Sequence, residues 1–138
     1  MTAKQYLNQL RSLERRISAK RRDLADLRAK AQGMISPSAE PVQQTGNGDR
    51  LCAIVARIVD MEHETEDDIA RYIELRAQIT AYIDMVPDAL YVDILYRRYV
   101  HGQTWEQIAD GTGYVLRWVY ILHGRALRAF ENIMNSSL

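Results

Sequence analysis

Hydrophobic side chains recur at alternating steps of three and four residues along the first part of the chain. This seam consists of Tyr6, Leu10, Leu13, Ile17, Leu24, Leu27, Ala31 and Met34, with Lys20 as its one charged member. Residues 1–32 contain no glycine and no proline, the two residues that disfavour a helix interior. The pattern predicts one long amphipathic helix with a heptad seam.

A second seam of the same period follows in residues 49–86. It consists of Leu51, Ile54, Ile58, Met61, Thr65, Tyr72, Leu75, Ile79, Tyr82 and Val86, with Asp68 as its one charged member. Such a helix is on the order of 55 Å long, which favours a coiled coil. Residues 33–48 are rich in Gly, Pro, Ser, Gln and Asn, a composition that predicts a flexible loop between the two helices.

The two predicted helices carry opposite charge. Residues 1–34 hold nine basic and three acidic side chains, whereas residues 49–86 hold four basic and nine acidic ones. This asymmetry predicts an antiparallel hairpin in which paired residue numbers sum to roughly 83. The groups that would face one another are Arg15, Arg16, Lys20, Arg21 and Arg22 against Asp60, Glu62, Glu64, Glu66, Asp67 and Asp68. Two charged faces on helices that pair with other chains are the alternative.

The remainder of the chain predicts three shorter helices. Pro87-Asp88 starts the first, Thr104 and Gln107 form a capping box for the second, and glycines close the turns. The second helix is expected to reach about Asp110 and the third to cover residues 114–132. The predicted fold is all-α, with a helical hairpin domain at 1–86, its loop at 33–48, and a helix-turn-helix domain at 87–138.

Composition limits the function classes. Eighteen basic and eighteen acidic residues balance, so the chain is not a globally basic nucleic-acid protein. Cys52 is the one cysteine, which fits a reducing, cytoplasmic compartment, and we expect it to be a small buried residue. The residue pattern offers no catalytic constellation, metal cluster or membrane span. We therefore expect a non-enzyme that needs no cofactor or metal and does not enter a membrane.

Two segments near the C-terminus are typical of one family. They are Thr104-Trp105-Glu106-Gln107-Ile108-Ala109 and His123-Gly124-Arg125-Ala126-Leu127, with Gly113 and Val119 between them. At these residues the chain resembles the fourth conserved region of bacterial sigma factors. With its charged N-terminal helices it is similar to small proteins of this type encoded by phages and prophages. The resemblance implies a helix-turn-helix transcription regulator whose partners are double-stranded DNA and RNA polymerase.

The resemblance also implies which residues contact DNA, because in that family the last helix enters the major groove. Arg117 would pair with a guanine edge, and Tyr120 would reach a phosphate or a thymine methyl. Thr104 would bind a phosphate with the free amides at the start of its helix. The full set is Thr104, Leu116, Arg117, Tyr120, Ile121, Arg125 and Arg128.

The apolar character of the same face supports other interpretations. Trp118 and Ile121 occupy positions of this face that are often basic or polar in the family. Val115 stands at the helix start, where its side chain cannot cap the free amides. An exposed apolar face favours a protein interface, so the module is alternatively a binder of RNA polymerase or another protein without DNA contact. A homodimer through the N-terminal helices is a further expectation. Small terminase subunits, which package DNA, also join a helix-turn-helix to oligomerising helices and supply a third hypothesis.

Overall fold

The computed structural model describes residues 1–35 and 47–137, and 89% of these residues are helical. The elements are α1 (Ala3–Ile35), α2 (Asn47–Asp84), α3 (Ala89–Leu95), a π-helical turn (Tyr96–Val100), α4 (Trp105–Thr112) and α5 (Leu116–Ser136). No strand occurs within these described ranges. The prediction of an all-α fold is confirmed.

Local side-chain chemistry sets the ends of the shorter helices. The Asp88 carboxylate accepts hydrogen bonds from the amides of Leu90 and Tyr91, at 2.9 and 3.4 Å, and so caps α3. Gly113 has a φ of +78°, a left-handed conformation suited to glycine, and closes α4. Helix α4 therefore continues to Thr112, beyond the predicted end at Asp110.

Residues Arg15–Arg71 form one compact unit whose interior is built from the two seams. Ile17, Leu24, Ala31 and Met61 are buried there. All seam positions described in this unit, the charged ones included, are buried or partly buried. The three-and-four spacing therefore identified the inward side of both helix segments.

Ion pairs connect α1 and α2 within this unit. The Nζ atom of Lys20 lies 2.7 Å from Oδ2 of Asp68, and Nη2 of Arg28 lies 2.7 Å from Oε1 of Glu62. Nε of Arg16 is 3.2 Å from the same Asp68 oxygen. In these ion pairs the residue numbers increase along α1 while they decrease along α2. The two segments therefore run antiparallel in this unit.

The predicted set of facing charges is only partly correct. Arg16 and Lys20 make the expected pairs, but Arg15, Arg21 and Arg22 form no ion pair with another described residue. All three are exposed, because the helical repeat turns their positions away from the seam toward solvent.

A second compact unit consists of Met1–Glu14 and Tyr72–Leu138. Its core contains Ala3, Leu7, Leu10, Ile79, Ile83, Val86, Leu95, Tyr99, Val100, Ala126 and Phe130. The rings of Tyr6, Tyr82 and Phe130 pack against one another with centroid distances of 6.1 to 6.4 Å. The unit boundaries fall inside α1 and α2, because the first turns of α1 and the last turns of α2 share this core with the C-terminal helices.

The π-helical turn after α3 has no counterpart in the sequence prediction. The amide of His101 donates to the carbonyl of Tyr96, five residues earlier, over 2.8 Å. Tyr99 and Val100 in this turn are buried. The wider turn ends the helical segment that α3 begins, and an irregular segment follows it up to Thr104.

Two further expectations differ from the structure. Residues 33–35 and 47–48 of the predicted loop are helical, and the rest of that loop lies outside the described residues. Cys52 is exposed, so its predicted burial is wrong, because position 52 falls between the seam positions Leu51 and Ile54. In the part of the chain that the structure describes, no helix combines the length and the apolar character needed to cross a membrane.

Candidate functional site

Helices α4 and α5 pack together and share the turn that begins at Gly113. Ile108 of α4 and Val119 of α5 are fully buried, and Leu122 is nearly so. Ala109, the neighbour of Ile108, is partly buried. Burial of this side leaves the opposite side of α5 open to solvent.

Most of the residues implied to contact DNA lie on that open side. Arg117, Ile121, Arg125 and Arg128 are exposed and follow one another at steps of four, four and three, so they share one side of the helix. Tyr120 is exposed beside them, and Leu116, the first residue of α5, is partly buried.

The open side of α5 is positively charged. Arg117 and Arg128 make no ion pair with another described residue, and the guanidinium of Arg125 stacks 5.2 Å from the centroid of the Trp118 ring. The first acidic residue of α5 is Glu131. Three cations therefore face solvent without a carboxylate among them, which creates a local positive potential in a chain of zero net charge.

An apolar surface adjoins these cations at the start of α5. Tyr114, Val115, Trp118 and Ile121 are 39%, 72%, 37% and 40% exposed. Val115 occupies the N-cap position and makes no side-chain cap bond, as its residue type predicts. The face implied for base contacts is thus both cationic and apolar.

At the start of α4 the cap alters the role implied for Thr104. Its amide donates to Oε1 of Gln107 over 2.9 Å, and its hydroxyl accepts from the Gln107 amide over 3.2 Å. The capping box uses the Thr104 amide as a donor and its hydroxyl oxygen as an acceptor, which leaves the hydroxyl proton free to donate. An anion at this end of the helix would meet that proton and the amides of Trp105 and Glu106, beside the Glu106 carboxylate.

Sequence reasoning missed a buried polar pair behind this surface. The Tyr99 hydroxyl lies 2.7 Å from Nε2 of His123, which is 7% exposed. Burial, with the charges of Lys4 and Arg98, lowers the pKa of His123 to about 4. Burial raises the pKa of Tyr99 to about 12, against the opposing effect of nearby arginines. The imidazole is therefore neutral at pH 7, and one hydrogen bond joins it to the tyrosine hydroxyl.

Trp105 connects this pair to the open side of α5. Its ring contacts His123 with a centroid distance of 4.6 Å and Tyr120 with one of 5.3 Å. The guanidinium of Arg98 lies 4.1 Å from the centroid of the Trp105 ring and donates to the carbonyl of Gln103 over 3.0 Å. Contacts therefore run without a break from Tyr120 through Trp105 to Arg98.

Arg97 is held on another side of α4. Its Nε donates to Oδ2 of Asp93 over 2.9 Å, and its Nη1 lies 3.5 Å from Oε1 of Gln103. The guanidinium fills the space beside Gly111 where a β-carbon would stand. A glycine at this position of α4 is what lets Arg97 approach the last turn of the helix, where a cation is favoured.

Neither a family model, nor a curated protein, nor a solved structure gives a significant match to this chain. The chemical character of the open side of α5 therefore follows from its own residues. It combines unpaired arginines with exposed aromatic and aliphatic groups, a combination suited to a nucleic acid or to the surface of another protein.

Proposed function

We propose that this protein is a DNA-binding transcription regulator in which α4 and α5 form a helix-turn-helix and α5 enters the major groove. The observation that carries this proposal is the open side of α5, where Arg117, Arg125 and Arg128 face solvent without an acidic partner among the described residues. Duplex DNA supplies the missing negative charge. The resemblance to sigma region four supports the same assignment.

The proposal gives the exposed residues different roles. Arg117, the first cation after the start of α5, pairs with the edge of a guanine, and Tyr120 reaches a phosphate or a thymine methyl. Leu116 and Ile121 face the bases beside them. Arg125 and Arg128, further along the helix, bind phosphates. In the whole chain, residues 1–86 form an antiparallel helical hairpin that carries the DNA-binding module at 87–138.

Binding to a random-sequence duplex pool, followed by titration of a selected site at two salt concentrations, tests this function. Arg117→Ala should lose about 1–3 kcal/mol and relax base preference at one position. Arg125→Ala should weaken all sequences alike and reduce the salt slope by about one. Asn132→Ala, an exposed change in the same helix, is the control. Wild-type binding weaker than about 10⁻⁴ M at low salt would contradict the proposal.

The apolar part of the same face favours a second candidate function, the docking of RNA polymerase without DNA contact. Trp118 and Ile121 are exposed although both are large and apolar. In a protein interface, Trp118→Ala should cost about 2 kcal/mol or more of binding to purified bacterial RNA polymerase. Wild-type protein that binds RNA polymerase but no duplex would support this second function over the first.

The oligomeric state separates regulation from DNA packaging. A monomer, or a homodimer through the N-terminal helices, fits a regulator that reads one or two half-sites. A closed ring of about eight or more subunits, measured by light scattering, would instead favour a packaging component.

A further inference from the structure

The first turns of helix α2 are apolar on every side. Eight of the nine residues at 51–59 are hydrophobic, and Arg57 is the exception. None of the nine is buried: Val55 and Val59 are 44% and 45% exposed, and the seam residues of this stretch are only partly buried. A helix segment that is hydrophobic all round normally lies inside a larger core. Helix α1 therefore covers only part of this segment of α2.

The ion pair between Arg28 and Glu62 marks one lateral face of the hairpin in the unit Arg15–Arg71. Their atoms lie 2.7 Å apart, and both side chains reach solvent. Positions at steps of three and four from these two residues lie on the same side of each helix. The lateral face therefore consists of Ser18, Arg21, Ala25, Arg28 and Gln32 on α1, and of Cys52, Val55, Val59, Glu62 and Glu66 on α2.

The two helices carry opposite charges on the lateral face. Its α1 side holds Arg21 and Arg28 and no acidic residue, whereas its α2 side holds Glu62 and Glu66 and no basic one. Arg28 and Glu62 are paired with each other. Arg21 forms no ion pair with another described residue, and Glu66 has only a contact of 3.9 Å with His63. One cation and one anion of this face thus lack a strong partner among the described residues.

Arg21 and Glu66 stand at the same level along the hairpin. Lys20, the residue before Arg21, lies 2.7 Å from Asp68 and 3.7 Å from Glu64, which stand two residues after and two residues before Glu66. Arg21 and Glu66 are nevertheless both exposed, and they form no ion pair with each other. Each is therefore available to an outside partner of opposite charge.

A second copy of the chain supplies both missing charges at once. A two-fold rotation about an axis parallel to the helices places α1 of each copy against α2 of the other, and the helices that meet run antiparallel. Arg21 of each copy then comes level with Glu66 of the other, and the small side chain of Ala25 comes level with Val59. Rotation about a perpendicular axis would instead set α1 on α1 and α2 on α2, with like charges opposed.

We propose that the lateral face is the interface of a homodimer, in which two hairpins form a four-helix bundle with α1 of each chain against α2 of the other. This inference goes beyond the proposed function, because it names the surface and the pairing of the dimer and does not depend on DNA binding. Burial of Val55 and Val59 stabilises the bundle, and the contacts between Arg21 and Glu66 select the arrangement of its helices.

Reversal of the two charges tests the arrangement. Arg21→Glu and Glu66→Arg each replace two opposite-charge contacts of the dimer by two like-charge contacts, so each should raise the dissociation constant of its own homodimer by about tenfold. An equimolar mixture of the two variants should form mainly the heterodimer, because both of its contacts are again between opposite charges. Sedimentation velocity in a reducing buffer measures the dissociation constants. Native mass spectrometry separates the heterodimer from both homodimers.

Lys30→Glu and Asp67→Arg are the control variants. They make the same changes of charge at exposed positions on the other side of the hairpin, where Lys30 lies beside Arg50 and Asp67 lies beside Arg16. Each control homodimer should keep the wild-type dissociation constant. Their mixture should contain no more heterodimer than random exchange of chains gives. Circular dichroism shows that the variants compared are folded.

Three other outcomes overturn the inference. Wild-type protein that stays a monomer at about 100 µM refutes the dimer, and duplex binding by that monomer would leave the proposed function standing. If both homodimers weaken but the mixture forms no excess of heterodimer, Arg21 and Glu66 do not meet between chains. A tighter homodimer of Glu66→Arg would show that α2 packs on α2 of the other copy.

Discussion

Lys20 and Asp68 are the only charged residues on the two helix seams, and they bond to each other, with Nζ 2.7 Å from Oδ2. Asp68 is 2% exposed. The hydrogen bond from Lys20, together with nearby arginines, holds the pKa of that carboxyl below its ordinary value despite burial. A shifted register would set each charge against apolar side chains, so the pair selects one alignment of α1 on α2.

Replacement of Lys20 by methionine should therefore destabilise the protein more than loss of an ordinary surface pair. Asp68 would stay buried with one close ion-pair partner, Arg16, whose side chain is 58% exposed, and the more distant charge of Arg71. We expect a loss of about 2–4 kcal/mol in urea unfolding. Arg28→Met is the control, because Arg28 and Glu62 are equally close but both exposed, and it should cost less than about 1 kcal/mol.

Replacement of both seam charges by leucine should restore stability to the wild-type value or above it. Two leucines bury apolar surface without the cost of removing ions from water, and such exchanges are often stabilising by about 1–4 kcal/mol. If the double variant loses as much unfolding free energy as the two single variants together, the ion pair fits this seam better than an apolar pair. Urea unfolding of the four proteins gives the coupling energy.

The stability of the unit that contains His123 should fall as the pH is lowered from about 6.5 toward 4. In this range the unfolded chain binds a proton on the imidazole, while the folded chain, with a pKa of about 4, does not. The slope is about 1.4 kcal/mol per pH unit. His123→Gln should remove this contribution to the slope while retaining a hydrogen-bond partner for Tyr99. His63→Gln, at a side chain 73% exposed, is the control and should keep the wild-type slope.

Two helical glycines should respond to alanine in opposite ways. Gly124 has nothing within 4 Å of an added β-carbon, so Gly124→Ala should stabilise α5 by about 0.5–1 kcal/mol. Gly111→Ala should leave the stability of the protein unchanged or lower it, because the new methyl group displaces the Arg97 guanidinium. In an Arg97→Ala background, Gly111→Ala should become stabilising. Denaturant unfolding of the wild type, the two single variants and the double variant measures this coupling. A coupling energy of zero would contradict the contact between Arg97 and Gly111.

A side chain that can cap the start of α5 should stabilise the protein. Val115 already has the extended backbone of an N-cap residue, with φ −67° and ψ 152°, so Val115→Ser should stabilise by about 1 kcal/mol. Thr104→Ala removes the corresponding cap from α4 and should cost a similar amount. Thermal unfolding measures both changes. A serine variant that is more stable but binds its DNA or protein partner less well would show that Val115 serves that contact.

Periodicity and capping chemistry account for the elements that the sequence predicted well. The seams were visible because burial on one side of a helix repeats every three to four residues, and Lys20 and Asp68 stood out as exceptions to that repeat. Asp88, Thr104 and Gly113 act within a few residues of themselves, so their effects are local.

The features that the sequence did not predict depend on contacts between distant segments. Tyr99 and His123 become partners only after α5 packs beside the π-helical turn. Leu7 lies in the same core as residues of the C-terminal helices. It is not a member of the predicted seam, and nothing in the neighbouring sequence indicates which distant helix covers its side chain. In the candidate site, the residues on the open side of α5 were named from the family resemblance. The contact between Trp105 and Arg98 depends on the fold and has no sequence signal.

The shared core of Leu7, Leu10 and Phe130 has a consequence for synthesis of the chain. A ribosome produces Leu7 more than 120 residues before Phe130, so the apolar side of the nascent helix α1 stays uncovered until α5 has been made. Contacts this far apart in sequence form slowly, and exposed apolar surface invites aggregation in the meantime. A stalled or truncated product that lacks α5 would therefore be a substrate for chaperones and proteases.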